Sequence, residues 1–159
     1  MKRFLFASVP VFVLVLPAPA SSAVASTSPV FDELMKPYDH IRLALIDDSL
    51  DGVADEAQAI HLAAKENVAG GEAPEVRELL PAIAEHAEEL ADSTELADAR
   101  AAFYELSKVL VRYRARVGGE RPVVVYCSMA KKSWLQPAGE IGNPYHGPSM
   151  ESCGEVVDE

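Results

Sequence analysis

The chain has 159 residues, 49% of them hydrophobic, with 14 Lys and Arg against 25 Asp and Glu and a formal net charge of −11. That length and apolar content suffice for one domain with a real core. The acidic balance repels nucleic-acid phosphates and argues against a nucleic-acid-binding role.

Residues 1–25 read as a secretion signal. Met1-Lys2-Arg3 is a short basic start, and Phe4 to Leu16 is an apolar run too short and too proline-flanked to span a membrane comfortably. Ala23-Val24-Ala25 is a small-x-small cleavage site before Ser26, with Ala18-Pro19-Ala20 as a rival, and no cysteine near the junction offers lipid attachment. The expected product is a periplasmic or secreted protein with no membrane span once the signal is removed. It would be a single helical domain over residues 26–159 with 12 basic and 25 acidic residues, net −13.

Within that domain the apolar spacing predicts four helices, over about 29–48, 50–67, 74–91 and 95–117. Leu34, Tyr38, Ile41 and Leu45 form the stripe of the first, which starts near Ser28-Pro29 or, more strictly, at Pro37. Asp47-Asp48-Ser49 offers capping oxygens to the second, whose stripe is Val53, Ala57, Ile60 and Ala64 and which Gly70-Gly71 ends. Val76, Leu79, Leu80, Ile83, Ala87 and Leu90 mark the third; Pro81 inside it should bend the helix or shift its start. Asp92-Ser93-Thr94 supplies the next cap, and Leu96, Ala99, Phe103, Leu106, Leu110, Tyr113 and Val117 then step by three and four to Gly118-Gly119. Short joints between such helices imply an all-α fold, an up-down-up-down four-helix bundle. Pro122-Val123-Val124-Val125-Tyr126 follows as a short extended segment, and the C-terminal tail, residues 120–159, is otherwise expected to be irregular.

That tail carries the chemistry. It holds both cysteines, Cys127 and Cys153, two of the four methionines, Met129 and Met150, and the only tryptophan, Trp134. Cys127-x-Met129 opens a turn-rich stretch and Met150-x-x-Cys153 closes it, so folding back would bring soft ligands together. Thiolate and thioether select Cu(I) or a similar soft ion over hard cations, and His146, four residues before Met150, is a further candidate ligand. The competing reading is a Cys127–Cys153 disulfide, natural for an even cysteine count in an oxidising compartment and stabilising by roughly 3 kcal/mol in the chain-entropy model.

Tyr126-Cys127, Met129-Ala130, Trp134-Leu135, Asn143-Pro144-Tyr145, Gly147, Ser149-Met150 and Cys153-Gly154 together resemble the tail of an uncharacterised small helical domain. That family occurs as secreted or lipoprotein single-domain proteins and is appended to periplasmic adaptor subunits of heavy-metal (copper or silver) efflux systems. The resemblance implies metal sequestration or hand-over to an efflux adaptor protein. Ser128 stands where the family has proline, and His146 where it has an aromatic residue, so no role for His146 comes from the resemblance.

Other features invite blander readings. His61 and His86 lie beside the stripes of helices two and three and would meet if those helices pack; each also fits a hydrogen-bonded boundary residue. Glu85, Glu88, Glu89 and Asp92 read as a solvated acidic face, His40 as solvent-facing, and Lys131-Lys132 as staying in water while Trp134 anchors the tail. No nucleophile elbow, phosphate loop, zinc-protease helix or Cys-x-x-Cys is present, so the expectation is a protein that is not an enzyme. Two functions lead: an exported soft-metal binding protein using Cys127, Met129, Met150, Cys153 and His146, or a disulfide-stapled interaction module without metal, with Trp134 and Tyr145 presented to a protein partner; a redox or other enzymatic activity ranks below both.

Overall fold

The computed structural model describes residues 28–118 and 121–157, so the secretion signal expected over residues 1–25 lies outside the described residues. Helix α1 spans Pro29–Ile46. Ser28 caps it, its hydroxyl accepting from the Phe31 N–H at 3.0 Å, and Pro29 takes a first-turn position where its missing N–H costs nothing. Pro37 is buried inside the helix rather than starting it. Phe31, Leu34, Tyr38, Ile41 and Leu45 are buried on both sides of the proline, which offsets its lost hydrogen bond.

Helix α2, Val53–Asn67, is preceded by Gly52 at φ 77°, not by a side-chain cap. The Ser49 hydroxyl accepts instead from the Asp51 N–H at 3.0 Å, so it closes a local turn and is not available to the helix. Pro81 shifts the start of the third predicted helix. The chain makes a single turn, α3, Pro74–Arg77, and resumes as α4, Leu80–Ala91, with Pro81 in its first turn. Helix α5 runs Leu96–Arg114. In it Ala99, Phe103, Leu106, Leu110 and Tyr113 are buried, Val117 is buried just beyond its end, and Leu96 is half-buried. Packing follows chain order: α1 lies on α2, α2 on α4, α4 on α5, and α5 touches α1 again.

The all-α expectation is overturned by what comes next. Strand β1, Val123–Cys127, pairs antiparallel with β2, Lys132–Gln136, and with β3, Glu155–Val156, in the order β2-β1-β3. The fold is therefore mixed, a helical bundle carrying a three-stranded antiparallel sheet. Lys131, at φ 54°, closes the β1–β2 hairpin through its N–H to the Cys127 carbonyl at 2.8 Å. The register sets Val124 opposite Leu135 and Val125 opposite Trp134, all four buried, and β2 packs on α5. Cross-strand pairing, not local periodicity, makes β2 a strand, which is why the helical bundle with an irregular tail looked sufficient.

Candidate functional site

The sheet brings the two cysteines together. Cys127 ends β1 and is fully buried. The β1–β3 register sets Val125 opposite Val156 and Tyr126 opposite Glu155, so one further step puts Cys127 abreast of Gly154, next to Cys153. The two Sγ atoms lie 2.6 Å apart. A side chain at Gly154 would prevent this approach, because a Cβ there would stand 2.8 Å from the Trp134 ring and 2.8 Å from a Val125 methyl. Glycine lets β3 lie flat on the hairpin.

The loop between β2 and β3 is held at several fixed points. Asn143 is fully buried. Its amide donates to the Cys153 carbonyl at 2.8 Å, its side-chain oxygen accepts from the Tyr145 N–H at 2.8 Å, and its own N–H donates to the Glu151 carbonyl at 2.7 Å. The Cys153 N–H donates to the Met150 carbonyl at 3.0 Å. The Gln136 side chain accepts from Trp134 Nε1 at 3.0 Å and from the Gly142 N–H at 3.1 Å and donates to the Glu140 carbonyl at 2.8 Å. Two arginines from the bundle reach this loop. Arg42 donates to the Gly142 carbonyl at 3.3 Å and to Asp39 at 2.7 Å. Arg100 donates to the Pro144 carbonyl at 2.9 Å, the Leu45 carbonyl at 2.7 Å and the Asp48 carboxylate at 2.5 Å.

Aromatic rings form the seam between tail and bundle. Tyr38 stacks on Phe103 with centroids 4.7 Å apart, and Tyr145 meets Trp134 edge-on at 5.8 Å. The Ser107 hydroxyl donates to the Phe103 carbonyl, so the Tyr38 hydroxyl donates to Ser107, while the Leu135 N–H donates to Tyr38 Oη at 3.2 Å. The Tyr145 hydroxyl donates to the Ser133 carbonyl at 2.8 Å. Trp134 and Tyr145 are both buried here, so neither offers a ring to a partner. Lys131 is exposed, but Lys132 does not stay wholly in water: its Nζ stands 4.9 Å from the Tyr145 ring centre and 5.3 Å from that of Tyr104.

Of the residues expected to bind metal, Cys127 and Cys153 meet. Met129 sits in the β1–β2 turn with 68% of its surface exposed, and Met150 is half-buried at the end of a 3-10 turn, Gly147–Met150. His146 caps that turn, and its Nε2 is buried without a hydrogen-bond partner. Among the described residues no three His, Cys, Asp or Glu side chains are grouped to hold a metal ion. The two helical histidines are bonded elsewhere: His61 Nδ1 to the Ala84 carbonyl at 2.9 Å and His86 Nδ1 to Glu89 at 3.0 Å. His40 pairs with Glu56 at 2.7 Å.

The thiols differ in environment. Burial pushes the Cys127 thiol up, but hydrogen bonds from Cys153 and from the Ala130 and Met129 N–H groups outweigh it and hold Cys127 below the ordinary thiol value. The contact with Cys127, followed by burial, raises Cys153. The Ala130 N–H lies 3.4 Å from Cys127 Sγ. Sequence reading missed Arg42, Arg100, Gln136 and Asn143. Arg42 stands directly beside Ile41 in the apolar stripe, a charged residue at the edge of a buried face, which was a usable sign. Asn143 entered only through the Asn143-Pro144-Tyr145 motif, with no bonding role assigned to it.

The family model described as a protein of unknown function (DUF3347) matches residues 34–121, which runs from within α1 through α5 and ends before β1. No curated protein and no solved structure matches the chain. Among the described residues no helix is long and apolar enough to cross a membrane.

Proposed function

This chain belongs to the DUF3347 family of proteins of unknown function, and we propose that it is an exported binding module, not an enzyme, whose tail is closed on itself by a Cys127–Cys153 disulfide joining the end of β1 to the segment before β3. The observation that carries this reading is the 2.6 Å contact between the two sulfurs. A disulfide needs them at about 2.05 Å, a small further movement. Two thiolates each roughly 2.3 Å from one shared ion would stand roughly 4 Å apart, a much larger rearrangement. The 2.6 Å contact thus favours pairing of the cysteines with each other over a shared ion. In an oxidising compartment the bond persists, and the glycine, asparagine and arginine contacts around it give the loop one shape.

A soft-metal role is the second reading. It is favoured by two soft thiols in one place, with the Met129 thioether exposed two residues beyond Cys127. In the reduced protein Cys127 and Cys153 would hold a Cu(I)-type ion once spread apart, with Met129 the nearest further donor in sequence; the ion would be sequestered or passed to an efflux adaptor. Intact mass and free-thiol count of the exported protein separate the two. A product lighter by two hydrogens with no free thiol supports the module. Free thiols with copper bound, and Cu(I) affinity abolished in a Cys127→Ser, Cys153→Ser double variant, would establish the metal reading in its place.

A further inference from the structure

Resting on the disulfide reading, we propose that the Cys127–Cys153 bond is a thiol-exchange site with a fixed direction: an incoming thiolate attacks Cys153, and Cys127 is the sulfur that leaves. The two ends of the bond differ in access. Cys127, at the end of the central strand, is fully buried. Cys153 is half-buried and lines an open cleft of about 180 Å³ with Tyr126, Ser128, Gly154 and Glu155. A nucleophile must reach one sulfur of a disulfide from the side away from the other, and among the described residues it is Cys153 that lines an open cleft while Cys127 is buried. The other end is prepared to depart. The Ala130 N–H lies 3.4 Å from Cys127 Sγ, where it stabilises the thiolate formed as the bond breaks. The β1–β2 turn that supplies this donor is fixed by the Lys131 N–H to the Cys127 carbonyl.

The chemistry balances as two successive exchanges. A partner thiolate forms a bond to Cys153 Sγ while the S–S bond breaks, and its electron pair goes to Cys127. The product is a mixed disulfide on Cys153 with a Cys127 thiolate. A second thiol of the same partner, deprotonated, then attacks the partner's own sulfur in that mixed disulfide. Cys153 leaves as thiolate, and the two cysteines take up protons from solvent. The partner dithiol is oxidised and this protein reduced by two electrons. The ligand class is therefore a dithiol whose reacting sulfur is borne on a slender arm, because the cleft is small. Reduction frees Cys153 at the root of β3 and prepares the two-thiol state that the metal reading requires.

The test uses the oxidised full-length protein. It is challenged briefly with 2-mercaptoethanol, quenched in acid, alkylated and mapped by peptide mass. The expected result is the mercaptoethanol adduct on Cys153 and the alkyl group on Cys127, in at least about tenfold excess over the reverse. Adduct on Cys127, or on both equally, overturns the direction while leaving the disulfide intact. Absence of a disulfide before the challenge, seen by intact mass, overturns both this proposal and the reading it rests on. A second measurement is independent of the wild-type bond. The lone thiol of Cys127→Ser should react with a bulky disulfide reagent at least about tenfold faster than that of Cys153→Ser. Equal rates would show that access does not distinguish the two sulfurs.

Discussion

The helical bundle and the tail that closes on it are held by different forces. The bundle buries continuous apolar stripes: Leu34, Ile41 and Leu45 from α1, Ile60 from α2, Ile83 and Leu90 from α4, Phe103 and Leu110 from α5. Its stability is spread over many non-directional contacts. The tail buries few large apolar groups beyond Trp134, Leu135 and Tyr145. It is fixed by directed bonds, from Arg42, Arg100, Asn143 and Gln136 to backbone carbonyls, by glycines where chains cross closely, and by two sulfurs. A core of the first kind loses stability in proportion to the volume removed, whereas a clasp of the second kind fails at single points.

The contrast is sharpest at the ring where the regions meet. Phe103→Ala should cost about 3–5 kcal/mol, because Phe103 is fully buried and stacked on Tyr38; global urea unfolding measures it. In the tail, Gly154→Ala should cost up to about 3 kcal/mol, since its new methyl meets Trp134 and Val125. The loss should appear as faster amide exchange in β3 with α2 and α4 unchanged. Uniform loss across both regions would show that they unfold as one unit. Arg100→Gln should cost about 1–2 kcal/mol by taking the guanidinium from the Pro144 carbonyl and from the Leu45 carbonyl and Asp48 carboxylate that anchor it, and should loosen the loop at Tyr145 first.

The smallest effect is alkaline. Burial, opposed by the Ser28 hydrogen bond, pushes the Tyr113 phenol up to about 12, and burial raises Tyr38 and Tyr145 as well. The unfolded phenol titrates near 10, so unfolded chains ionise first. The stability these tyrosines hold is therefore fully present below about pH 10 and is lost as pH rises from there toward the folded values. Urea midpoints at pH 8 and pH 11 should differ, and Tyr113→Phe should shrink that difference without removing it.

The same contrast explains what the sequence disclosed. Helical stripes are local, so Val53, Ala57, Ile60 and Ala64 on α2 and the seam of α5 could be read residue by residue. Pro81 announced its own effect on α4. The sheet was hidden because β2 holds only Lys-Ser-Trp-Leu-Gln and β3 only two residues; both are strands by virtue of β1 between them. The meeting of Cys127 and Cys153 was legible as one of two arrangements, since mirrored sulfur pairs in a turn-rich segment suggest closure. The part played by Asn143 was not, because a buried amide bonded to Tyr145 and across to Cys153 has the same sequence signature as an ordinary turn before proline.

The sulfur pair joins the end of β1 to the segment before β3 and so fixes the tail against itself, while the helices are packed without it. Amide hydrogen exchange of the oxidised and the reduced protein tests this directly. Reduction should speed exchange in residues 141–157 by at least about tenfold while leaving the cores of α2 and α4 unaltered. Unchanged protection in the tail after reduction, with mass confirming that the bond had been broken, would contradict it.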